Sequence, residues 1–138
     1  MTRRGPLFTV VLVGVVMILL ALVLAPTSST ASGPVRAVVA VLHSIGAPGW
    51  LATTDLWEPL FNVLLFIPVG VAGVLVCPGW GLGRWIVVGL LLSGSIELAQ
   101  GLLLPGRDAA ASDVVANTAG TVLGAWATAR LVGRARAL

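Results

Sequence analysis

The sequence predicts an all-α, polytopic membrane protein of about four transmembrane helices, with a short interfacial or re-entrant helix between the first and second. Three observations carry this. Of 138 residues, 58% are hydrophobic and only 9% are charged, and the mean hydropathy of +1.07 exceeds that of an ordinary soluble domain. Apolar runs of membrane-spanning length recur along the chain, each closed by Pro, Gly or polar turn residues. The Lys-plus-Arg count of eight is all arginine, and six of the eight lie near the chain ends or in one connection.

The first run, Leu7 to Ala25, follows Arg3 and Arg4. A secretory signal has an apolar core of about 7 to 15 residues, so a run of this length reads as a retained helix, with a cleaved signal as the alternative. Pro26 to Pro34 is a loop, and these first 34 residues form an N-terminal helix-and-loop segment. Residues 35–54 come next. Val35 to Ile45 would make roughly 16 Å of helix, too short for a hydrocarbon core of about 30 Å, which favours an interfacial or re-entrant position. Residues 55–138 hold three further spans, expected over Leu56 to Val76, Arg84 to Leu104 and Asp113 to Val132. Pro68 is expected to kink the second span by removing the bond to the Leu64 carbonyl. Trp50, Trp57, Trp80 and Trp85 fall near helix ends, where an indole prefers the headgroup level. Trp126 does not, and is expected to pack inside.

Four crossings place Arg3, Arg4, Arg84, Arg130, Arg134 and Arg136 on one side and leave only Arg36 and Arg107 on the other. The arginine-rich side is the cytoplasm, so both termini are expected there. Dispersed arginines make no nucleic-acid patch. The single cysteine, Cys77, excludes an intramolecular disulfide and any Cys-based metal framework. Neither a cofactor nor a metal is predicted, and the sequence sets no oligomeric state.

Glu97 raises the functional question. A carboxylate within an apolar span costs about 2.5 to 3.5 kcal/mol on insertion scales unless paired or protonated, so it marks a functional site by default. It lies roughly 20 Å from the Arg84 end at 1.5 Å per residue, in the outer leaflet. Ser93 and Gln100 share its helix face. Asn62 and Asn117 stand at the same depth on the neighbouring spans, Asp113 lies one turn from Asn117, and Arg107 is within reach of Asp113, Asp108 or, by folding inward, Glu97. The plain alternative is that Asn62, Gln100 and Asn117 are interhelical hydrogen-bond glue and that Arg107 with Asp113 is a capping salt bridge. Gly70-x-x-Gly73 and Gly120-x-x-x-Gly124 let helix backbones approach closely.

At these residues the chain resembles the VanZ-like family of bacterial membrane proteins. The matching pieces are Asn62-Val-Leu-Leu-Phe-Ile-Pro-Val-Gly70, Ser95-Ile-Glu-Leu-Ala-Gln100, Arg107, Asp113-Val-Val-Ala-Asn-Thr-Ala-Gly120 and Leu123-Gly124. Together they cover Asn62 to Gly124. Where relatives commonly carry an additional acidic residue between Arg107 and Asp113, Ala109-Ala-Ala-Ser112 stands here. The resemblance implies that Asn62, Glu97, Gln100, Arg107, Asp113 and Asn117 correspond to the family's motif positions. It also implies a link to low-level resistance to teicoplanin, a lipoglycopeptide acting at the outer face of the membrane.

Three functions follow as expectations. The first is a non-enzymatic protein binding a membrane lipid headgroup or lipid-linked cell-wall precursor at the outer leaflet, modulating the envelope or glycopeptide susceptibility. The second is a membrane-embedded enzyme acting on a lipid headgroup, with Glu97 as general acid or base, although no nucleophile is evident. The third, a transporter or proton relay, lacks polar groups in the cytoplasmic halves of the spans.

Overall fold

A computed structural model describes residues 10, 14, 15, 33–103 and 110–135 of the chain. Most of the first expected span, together with Arg107 and Asp108, lies outside the described residues. Among those described there are four helices and no strand: α1 (Gly33–Ser44), α2 (Thr54–Val76), α3 (Leu82–Leu103) and α4 (Ala111–Ala135).

Helix α1 has the short length its sequence predicts and buries only Val35. It ends where Gly46 adopts φ +72°, in the left-handed region that favours glycine. There the Gly46 and Ala47 amides return to the carbonyls of His43 and Leu42, at 3.1 and 2.9 Å. The following loop is tied to α2 by Trp57, whose Nε1 donates to the Leu51 carbonyl at 2.7 Å. Thr53 then caps α2, accepting from the Asp55 amide at 3.3 Å. Both Pro59 and Pro68 lie inside α2, which continues to Val76.

α4 is the central helix, packed against α2 on one side and α3 on the other. Along α2 its contacts advance in step. A Cβ placed on Gly120 would overlap the Val63 carbonyl oxygen, one on Gly124 the Ile67 carbonyl oxygen, and one on Gly70 would fall between the Thr121 carbonyl oxygen and the Ala125 amide nitrogen. α2 and α4 therefore run parallel, backbone against backbone. Along α3 the order reverses: Gly89 meets Thr118, Ser93 meets Asn117, and Glu97 meets Ala110. α3 is antiparallel to α4.

α2 and α3 are long and apolar enough to cross a membrane. Their outer faces carry exposed Leu64, Leu90, Leu91, Leu98 and Leu102, a surface costly in water and ordinary against lipid chains. The apolar core lies near the α2–α3 turn, where Val74, Trp85 and Ala125 meet.

Two tryptophans depart from expectation. Trp85 is at a helix end yet only 4% exposed, because Gly73 on α2 leaves room for its six-membered ring. Its Nε1 is buried with no hydrogen-bond partner. Trp126, expected inside, is 46% exposed and lies under the Arg130 guanidinium, 5.6 Å from the ring centroid. Small Ala125 and Thr121 occupy the inward positions instead.

Candidate functional site

The α3–α4 seam gathers the polar side chains. Ser93, Glu97 and Gln100 recur at helical spacing on α3, and all three are buried, as their shared face predicts. From α4 come Asn117, Thr118 and Thr121, also buried. Asn117 Nδ2 donates to Ser93 Oγ at 2.8 Å. Asn117 Oδ1 is buried without a hydrogen-bond partner. Thr121 Oγ1 donates to the Asn117 carbonyl at 3.0 Å, and Thr118 Oγ1 to that of Val114 at 2.7 Å. Such bonds to the preceding turn let hydroxyls enter a helix interface without a partner across it. That is why Thr118 and Thr121 carry no signal in the sequence.

Glu97 stands one turn from Ser93 toward the C-terminal end of α3. Its Oε2 accepts from the backbone amide of Ala110 at 3.0 Å. It is 6% exposed. Gln100, a further turn along, is 2% exposed.

Of the residues singled out in the sequence, Glu97, Gln100 and Asn117 are thus buried along one seam. Asn62 is half-buried on α2, next to Val63, whose carbonyl faces Gly120. Its side chain makes no hydrogen bond among the described residues. Asp113 is half-buried in the first turn of α4, two residues after the helix starts and not at its start as the sequence suggests. Its Oδ1 accepts from Ser112 Oγ at 3.4 Å. Arg107 lies outside the described residues. Among the described residues no group of three or more His, Cys, Asp or Glu side chains is placed to hold a metal ion.

Chemically, the seam offers neutral amide and hydroxyl groups beside one carboxylate, all shielded from solvent. Such a set can bind, orient and hold hydrogen-bonding groups in an apolar medium, where each bond counts for more than in water. The described residues are therefore all-helical apart from their connections, with α2 and α3 fit to cross a membrane and the polar groups of the α3–α4 seam turned inward. The VanZ/LLP1 family model matches residues 8–132, and the chain belongs to that family. The match extends on both sides of the stretch from Asn62 to Gly124 that carries the motifs. Comparison with curated proteins and with solved structures gives no match.

Proposed function

We propose that this VanZ-like protein is a multi-pass membrane protein with both termini in the cytoplasm, and that it binds a polar headgroup or lipid-linked ligand at the outer leaflet. In doing so it modulates the envelope or susceptibility to glycopeptides of the teicoplanin type. Arg107 holds an anionic group on the ligand and Asp113 orients Arg107. Asn62, Gln100 and Asn117 supply neutral hydrogen bonds. Residues 35–54 lie along the membrane surface, a reading supported by the exposed Val41, Ile45 and Trp50.

The observation that carries the reading is the buried amide of Asn117, one end bonded to Ser93 and the other left with an acceptor to satisfy. A buried acceptor without a partner costs about 1 to 3 kcal/mol, which a bound donor group offsets. The test is native mass spectrometry of the protein released from its own membrane, with a copurifying lipid or lipid-linked precursor expected. Arg107→Lys is expected to lose the ligand although charge is kept, because an ammonium lacks the planar bidentate fork. Full ligand retention and activity in Arg107→Ala, at wild-type abundance, eliminates the receptor role. For topology, tags at both termini are expected to report cytoplasm, and reporters near Ser29 and Ala110 the outside.

A further inference from the structure

The two ends of the helix bundle differ in charge. Asp55 and Glu58 lie near the start of α2 and Asp113 in the first turn of α4. Because α2 and α4 are parallel, these starts share one end, and Glu97 meets it from α3 at the Ala110 amide. At the other end stand Arg84, near the start of α3, and Arg130, toward the close of α4. Along its own helix each arginine is about 20 Å or more from the nearest described carboxylate, at 1.5 Å per residue.

What each guanidinium has instead is an indole. Arg84 lies 5.7 Å from the Trp80 ring centroid and Arg130 5.6 Å from that of Trp126. Both arginines are exposed. The two pairs belong to one region, since Trp80 packs on Trp85 with centroids 5.2 Å apart, and Trp85 meets Ala125, the residue before Trp126. Trp85 adds a further donor, an Nε1 buried with no hydrogen-bond partner. This end is rich in donors and short of acceptors. A ring contact occupies the face of a guanidinium and leaves its N–H edge, which forks to two oxygens of a phosphate. An indole prefers the headgroup level of a bilayer, where phosphates lie.

We propose that this end of the bundle binds anionic phospholipids of the adjoining leaflet, Arg84 and Arg130 each forking to a phosphate while Trp80 and Trp126 hold them at headgroup depth. Exposed Leu82, Ile86 and Leu123 lie beside the pairs and offer the acyl chains an apolar contact that a soluble anion would not use. A zwitterionic headgroup brings its own cation to its phosphate and gains less from the arginines. The proposal rests on the membrane reading above and is independent of the outer-leaflet ligand.

In the experiment, full-length protein in an uncharged detergent is titrated with phosphatidylglycerol or with phosphatidylcholine of the same acyl chains, and bound lipid is counted by native mass spectrometry. An interfacial arginine contributes about fivefold in affinity for anionic lipid, so the wild type is expected to prefer phosphatidylglycerol by about tenfold or more. Arg84→Gln and Arg130→Gln are each expected to lose about fivefold, and the double variant the whole preference. Trp80→Leu with Trp126→Leu keeps the charge and is expected to lose about threefold; undiminished binding there overturns the part given to the rings. A wild type without preference overturns the proposal, as does a preference that survives in the double variant. Should the double variant not accumulate, the single variants decide. Loss of the preference in excess inorganic phosphate overturns lipid in favour of a soluble anion. Release of the protein from cell membranes by alkaline carbonate without detergent overturns the membrane reading beneath the proposal, whereas a protein that stays in the membrane and shows no preference overturns this proposal alone.

Discussion

The two seams of α4 are built on opposite principles. Toward α2 it presents Gly120 and Gly124, and with Gly70 opposite, the two backbones touch so closely that a single added carbon would strike a carbonyl oxygen. Toward α3 it presents Asn117, and the helices are joined by side chains reaching between them: Asn117 to Ser93, and Glu97 to the Ala110 amide. Between apolar helices in lipid no hydrophobic force favours association, so van der Waals contact must supply it, and close approach maximises that contact. A polar seam gives up some of that closeness and gains groups able to bond something other than protein. The first seam is a close-packed joint and the second carries the buried polar side chains.

The sharpest way to break this contrast is to add a carbon to the close-packed joint. Gly120→Ala and Gly124→Ala are each expected to cost about 2 to 4 kcal/mol, through displacement of α2, measured by unfolding of the purified protein and by its membrane abundance. If either variant is as stable as wild type, the seams do not differ as described. The polar seam should yield less. A double-mutant cycle on Ser93→Ala and Asn117→Leu is expected to show a coupling of about 0.6 to 1.7 kcal/mol. Ser93→Ala alone should cost more than Asn117→Leu, because it leaves a buried amide with neither end bonded, whereas leucine removes both polar ends. The reverse order would mean that Asn117 Oδ1 is satisfied by a group that stays bound through purification. The smallest effect belongs to Gly94→Ala on the outer side of α3. Nothing stands within 4 Å of an added carbon there, and a change of no more than about 0.5 kcal/mol is expected.

The sequence anticipates the helices well, since apolar runs punctuated by Pro and Gly leave little choice. The start of α2 is found at Thr54, two residues before its expected place, and that of α3 at Leu82, also two residues before. The buried stripe of Ser93, Glu97 and Gln100 is equally legible, because three polar residues at helical spacing in an apolar run must face protein. So is the close packing at Gly70, Gly120 and Gly124. Gly73 is a different matter, since it makes room for the Trp85 ring and not for α4. Interface rules assign a tryptophan its depth but not its direction around the helix, which explains both Trp85 and Trp126. The bond from the Ala110 amide to Glu97 is beyond pattern reading altogether, because it depends on the vertical offset of α3 against α4, and no local spacing encodes that offset.

The central place of α4 bears on how the protein is made. α2 and α3 leave the ribosome first, yet they touch each other little, and each finds its main partner in the last described helix. Until residues 110–135 emerge, Glu97 has no Ala110 amide to accept from and Ser93 no Asn117. In the proposed bilayer setting, the nascent chain carries a buried carboxylate without this partner for the time needed to synthesise one more helix. A product cut short before α4 would remain in that unfinished condition, exposing to surveillance proteases the polar stripe that the finished protein hides.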